Sequence, residues 1–197
     1  VDKIGVNLEV ITGSSIFLGN FDFKTTSTVW DMILVADGDA NNTGLIANSD
    51  GVNSTTGRLG ANLLTLRSAQ GINVNTTSVT LDAVNTTSGD VDINETASFL
   101  TPASNLIVNK LWQQGPGQIT VKSAGQIIQG ATIVGQQNIK GTTLELIAAN
   151  GIGSANPLQT AVSVLAAQNG PLNNIQIVNK VGGLLTIGEL KTSGTAV

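Results

Sequence analysis

Cysteine, histidine and tyrosine are all missing from this 197-residue sequence, and each absence narrows what the chain can do. Without cysteine there is no disulfide framework and no thiolate metal site. Such a chain suits an exported protein that crosses membranes unfolded and needs no redox help. Without histidine, cysteine or tyrosine, most general bases and nucleophiles of neutral-pH catalysis are gone as well. Charge is scarce too, at 11% against the roughly 25% of an ordinary soluble domain. The nine basic residues are scattered through a chain of net charge −4. That pattern supplies no clustered basic footprint for phosphate and little for an anionic membrane surface. No apolar run approaches the ~18 residues of a membrane-spanning helix. The longest, Val29 to Ala36 and Val162 to Ala167, are strand-sized. The sequence opens Val-Asp-Lys, without Met or a leader, which is the expectation for a processed product or an internal piece.

What is abundant is small and polar: 23 Gly, 23 Thr, 20 Asn and 14 Ser. Yet 41% of the chain is hydrophobic, the reverse of the disordered pattern of low hydropathy and high charge. The chain therefore folds, with a surface made polar by amides and hydroxyls rather than by ions. Short apolar alternations recur, each closed by Gly, Asn or Ser-Ala. Examples are Leu64-Thr-Leu66 before Gly71, Val79-Thr-Leu81 before Asn85, Val91-Asp-Ile93 before Asn94 and Leu106-Ile-Val108 before Asn109. Ile119-Thr-Val121, Leu144-Glu-Leu146, Ile175-Gln-Ile177 and Leu185-Thr-Ile187 continue the series. Period-two alternation of Val, Ile and Leu is the signal of a half-buried strand. Leu158 to Gln168 alone has helical spacing, and its Val162-Ser-Val164 alternation argues for a strand there too.

Self-similarity sharpens the reading. Leu64-Thr-Leu66-Arg-Ser-Ala-Gln-Gly71-Ile72 matches Leu144-Glu-Leu146-Ile-Ala-Ala-Asn-Gly151-Ile152, and Ile119-Thr-Val121-Lys-Ser-Ala-Gly125-Gln-Ile127 is a shorter third copy. A strand ends at a corner where glycine can take positive φ, and Ile then re-enters the core. Short strands, tight corners and repetition describe a solenoid. The expected fold is all-β, a parallel β-helix; a β-sandwich or β-prism is the alternative, although a sandwich would spend more aromatics than the 3% here. Residues 1–60 hold Phe17, Phe21, Phe23 and Trp30 and read as an atypical β segment, a cap or variant coils. Residues 61–197 read as the repetitive coils.

Several groups of residues are candidates for chemistry. Asp37-Gly-Asp39-Ala-Asn41-Asn-Thr43 places oxygen ligands at alternate positions, as calcium loops do, so Asp37, Asp39 and Asn41 are the candidate metal ligands. The sixth position, however, is Asn42 rather than Gly and the twelfth is Asn48 rather than Glu, which favours a simple acidic turn. Asn-x-Ser/Thr occurs at Asn41, Asn53, Asn75, Asn85 and Asn94, the candidate glycan acceptors of a secreted chain. Against this, Asn suits turns and Thr suits strands in any Asn- and Thr-rich β-helix. Asp90 and Asp92 alternate on one strand, and a carboxylate pair is what carbohydrate-active β-helices use. Their placement opposite Val91 and Ile93 fits a solvated face better, so no catalytic residue is assigned. Trp30 and Trp112 read as core or end-cap residues.

From Leu144 to Gly153, then through Asn156-Pro-Leu-Gln-Thr-Ala-Val162 and Leu165-Ala-Ala-Gln-Asn-Gly170, the chain resembles the repeats of filamentous-haemagglutinin-like bacterial surface adhesins. Ile187-Gly-Glu-Leu190 and Gly125-Gln-Ile-Ile-Gln-Gly130 are similar in style, so the likeness covers about residues 60 to 197. It implies a right-handed parallel β-helix, export, and a non-enzymatic role as stalk or adhesive surface. The Asn-Pro-Asn-Gly type motif of that family's secretion domain has no counterpart at Asn156-Pro157-Leu158. The expected function is thus a structural or adhesive segment of a large extracellular or cell-surface protein, without a cofactor unless calcium. Its expected partners are neighbouring repeats or subunits of the same protein, or host and cell-surface glycans and proteins, with no nucleic acid and no membrane insertion. A self-assembling surface-layer or filament subunit is one alternative, and a carbohydrate-active β-helix enzyme another.

Overall fold

A computed structural model of the chain describes residues 7–19, 22–24, 30–49, 57–96, 105–131, 135–171 and 173–192. Among these there is no helix, and the strands form two parallel sheets of nine and ten strands. In the first sheet Leu8–Thr12, Met32–Ala36, Leu63–Ser68, Thr80–Asn85, Leu106–Gln113, Ile139–Lys140, Leu158–Ala161 and Ile177–Asn179 stack in chain order, with Ile127–Gln129 beside Leu106–Gln113. In the second, Ile16–Leu18, Ile46–Asn48, Ile72–Thr76, Val91–Glu95, Gln118–Ser123, Thr143–Ala148, Val164–Asn169 and Thr186–Thr192 do the same, with Phe23–Lys24 beside Arg58–Gly60 and that strand beside Ile72–Thr76. Each pass of the chain thus lays strand on both sheets, in places as two short pieces, and climbs one rung. That is a parallel β-helix. The first ladder crosses residue 60 without interruption, since Met32 pairs with Leu64 just as Leu64 pairs with Leu81.

Alternation explains the core. Leu63–Ser68, Gln118–Ser123, Thr143–Ala148 and Val164–Asn169 all place every second residue inside. Parallel register then sets like on like. Ile46, Ile72, Val91, Ile119, Leu144 and Leu165 form one column, and Val74, Ile93, Val121, Leu146 and Ala167 the next. All of them are buried. At about 1.5–3 kcal/mol for each large aliphatic side chain taken from water, these columns are the main source of stability.

The corners are where polar chemistry enters. Gly71 and Gly151 have φ of 124° and 121°, as the sequence repeat requires. Their settings differ, however. Ile72 opens a strand of the second sheet, whereas Ile152 bridges Ile127 and Ile175 beside the first. The same nine-residue phrase therefore turns the chain at opposite edges of the stack. Ile119-Thr-Val121, by contrast, lies directly against Leu144-Glu-Leu146 on one sheet, although its Gly125 has no positive φ. Along the edge next to Gly71 runs a buried polar ladder. The Ser68 hydroxyl donates to Asn85 Oδ1 (2.9 Å), and Asn85 Nδ2 donates to Gln113 Oε1 (2.8 Å). Gln113 Nε2 then donates to the carbonyls of Gly89 (2.8 Å) and Pro116 (3.1 Å).

Candidate functional site

The residues singled out from sequence lie apart. Asp37, Ala40 and Asn42 have φ of 71°, 55° and 63°, which coils this loop tightly. Asn41 turns its amide nitrogen toward Asp39 Oδ2 (3.0 Å), and its oxygen accepts the Thr43 N–H (2.9 Å). Asn41 therefore spends its oxygen on the turn itself. Among the described residues no three His, Cys, Asp or Glu side chains converge as metal ligands. On the second sheet, Asp90 Oδ1 accepts the Gln118 N–H of the next rung at 2.8 Å. Asp92 is half-buried. Burial, then the charge of Asp90, push its carboxyl above the ordinary value, with Glu145 adding to the rise and Thr120 and Lys122 opposing it.

Two of the candidate glycan acceptors need correcting. Asn75 and Asn85 are completely buried, and the Asn85 amide nitrogen, the atom a glycan would occupy, donates to the Ser88 carbonyl (2.7 Å). No sugar can attach there in the folded chain. Asn94 is half-buried with its amide donating to Asn75 Oδ1 (2.9 Å); Asn41 is exposed, and Asn53 lies outside the described residues.

The structure gathers a different set on the outer face of the first sheet. Strand Leu106–Gln113 carries a bulge, its register with Thr80–Asn85 slipping between Val108 and Lys110. Val108 and Leu111 both point inward, leaving Asn109 and Lys110 as consecutive residues outside the core. Bulges re-aim side chains in this way and free backbone groups from the ladder. Here the buried Asn138 compensates, its Nδ2 donating to the carbonyls of Val108 (2.8 Å) and Asn109 (3.1 Å). Asn109 Oδ1 accepts the Ala131 N–H (2.8 Å), tying the next turn to the bulge. A Cβ on Gly130 would lie 2.2 Å from that oxygen, so the turn needs glycine there.

Beyond the bulge, Trp112 is half-buried, facing outward rather than into the core or an end cap. Its indole N–H donates to the Gln137 carbonyl (3.1 Å), fixing the ring. The ammonium of Lys140, its register partner one rung on, stands 4.3 Å from the ring centroid, and that of Lys110 stands 4.9 Å away. The nearby acid Asp82 is held by Arg67 at 2.8 Å. Asp82, Asn109, Lys110 and Trp112, with Gln136 and Gln137, border a cleft of about 180 Å³, and Lys140 stands over the ring beside it. No local motif announces the cluster, because a bulge and a pairing between rungs assemble it.

The end rungs form a second unusual surface. Ile187 and Leu190 prolong the two buried columns of the second sheet, pairing with Leu165 and Ala167, yet are 46% and 56% exposed. Val10, paired with the buried Leu34, is exposed at the other end. Every exposed large apolar side chain among the described residues except Val79 sits in the first or last coil. Among the described residues the outermost strands of each stack have a neighbour on one side only. No family model, curated protein or solved structure matches the chain.

Proposed function

We propose that this chain is a length of a longer solenoid: a structural or adhesive segment of a large secreted or cell-surface protein, resembling the filamentous-haemagglutinin-like bacterial adhesins. The observation that carries the reading is the pair of open end rungs. Every interior rung buries its aliphatic columns between neighbours, whereas the first and last rungs present theirs, together with unpaired strand edges. Such edges are templates for another strand. A further coil of the same kind, placed in parallel register, would cover Ile187 and Leu190 as Leu144 and Leu146 are covered. The partners implied are coils of the same architecture, with the outward turns left free for cell-surface ligands. The same ends would serve the alternative, a self-assembling surface-layer or filament subunit.

Sedimentation velocity over a wide range of concentration tests this. Open ends predict concentration-dependent association into elongated species, suppressed when Ile187→Glu and Leu190→Glu are combined. Electron microscopy separates single rods, expected of a stalk, from the lateral sheets expected of a surface-layer subunit. A chain that stays monomeric at all concentrations, and behaves as its double variant does, would overturn the proposal.

A further inference from the structure

We infer that the cleft beside Trp112 binds the carboxylate of an acidic sugar unit. The inference stands independently of whether the coil stack continues. Lys110, which lines the cleft, and Lys140 bring two of the nine basic residues to the Trp112 ring on a chain of net charge −4. Among the described residues neither lysine has a carboxylate within ion-pair distance, and the adjacent acid, Asp82, is already paired with Arg67. Two ammonium groups near one indole are thus left to receive an anion from outside. The side-chain amides of Gln136 and Gln137 border the cleft and hydrogen-bond to no described residue, so they are free for hydroxyls.

Size and charge narrow the ligand. At about 180 Å³ the cleft is smaller than the ~300–1,000 Å³ that accommodates drug-sized molecules, and suits one sugar ring. A long polyanion such as nucleic acid needs an extended basic footprint, which the rest of this acidic chain does not supply. The site is also preorganised. Asn138 fixes the bulge and Gln137 fixes the ring, so little ordering opposes binding.

The test is titration of the chain with methyl glucuronoside, its methyl ester, methyl glucoside and inorganic phosphate. The Trp112 indole N–H resonance, assigned with Trp112→Phe, is the readout. The glucuronoside should bind with a Kd on the order of millimolar. The ester and the neutral glucoside should bind about tenfold more weakly. Lys110→Gln and Lys140→Gln should each weaken binding about fivefold, while Lys122→Gln on the other sheet leaves it unchanged. Phosphate should bind no better than the ester. The inference is overturned if no saturable shift appears up to about 50 mM glucuronoside. It is equally overturned if the ester matches the acid, if phosphate alone matches the glucuronoside, or if the two lysines over Trp112 prove dispensable.

Discussion

Replacing Asn85 by alanine should rank among the most damaging changes outside the aliphatic columns. The side chain is fully buried. Its oxygen accepts the Ser68 hydroxyl and the Gly71 N–H, both at 2.9 Å. Its nitrogen donates to Ser88 O (2.7 Å), Gln113 Oε1 (2.8 Å) and Gly89 O (3.3 Å). Truncation strands the Gly71 N–H and the Gln113 amide oxygen where water does not reach. Each such orphan costs about 1–3 kcal/mol, so the expected loss is about 2–6 kcal/mol, a large share of the ~5–15 kcal/mol of a typical domain. Asn85→Asp separates charge from shape. The carboxylate fits the same space but sets acceptors against three acceptors, so it should be at least as harmful at neutral pH and partly recover in acid. Urea unfolding measures the loss, and native-state hydrogen exchange locates it. Leu63–Ser68, Thr80–Asn85 and Leu106–Gln113 should lose protection first, while Val164–Asn169 keeps its own, because coils lean mainly on their neighbours. A loss below about 1 kcal/mol for Asn85→Ala would refute the reading of this ladder as a dry, fully bonded column.

Three further outcomes follow from the same structure. Gly151→Val should lose about 1–3 kcal/mol, since φ is 121° and a Cβ would lie 2.2 Å from Ser154 Oγ; thermal melts check the loss, and exchange should place it around Ile127, Ile152 and Ile175. Because the folded state raises the Asp92 pKa, the native chain binds more protons than the unfolded one; this contribution is fully present below the ordinary value of 3.8 and is lost as pH rises through the folded value. Asp92→Asn should therefore be the more stable protein at pH 7, with the gap closing toward pH 3, and equal melting curves at pH 7 would contradict the assignment. Calcium should leave the melting temperature unchanged, because Asn41 gives its oxygen to Thr43; a calcium-dependent rise abolished by Asp39→Ala would show that the loop rearranges into a site.

The aliphatic columns were legible in the sequence because a strand's period of two is a local property. Leu64, Leu66, Ile119, Val121, Leu144 and Leu146 are all buried, as their spacing implies. The corner glycines were legible for a similar reason, since small residues before Gly-Ile have few other uses between strands. What the repeat could not convey is which edge each corner serves, because turning from first sheet to second poses the same local problem as turning back. Boundaries suffered where an extra residue broke the period. Asn109 reads as the end of a strand, yet the strand runs on to Gln113 through the bulge. Val79 reads as core, although Leu81 and Ala83 are the first inward residues of that strand and Val79 is exposed. The Trp112 cleft was not legible at all. Lys140 meets Trp112 through the pairing of adjacent rungs, and the intervening turns, not any sequence period, set that pairing.

Successive coils differ greatly in length. Leu64 and Leu81 are paired across 17 residues, whereas Met32 and Leu64 are paired across 32. The longer coil lays a second short strand, Arg58–Gly60, beside the same Ile72–Thr76 that Ile46–Asn48 pairs with, and exposes its Asp37 loop, while Met32 and Leu64 still stack in one column. Closing a loop of twice the length costs only about 0.6 kcal/mol more. Insertion into a turn is therefore nearly neutral for this fold, while a single residue added within a strand shifts every side chain after it to the opposite face. The contour of the outer surface can vary almost freely in length and composition around a core that cannot. The long coil between Met32 and Leu64, which carries the Asp37 loop, is the place to graft a foreign peptide without disturbing the rungs on either side.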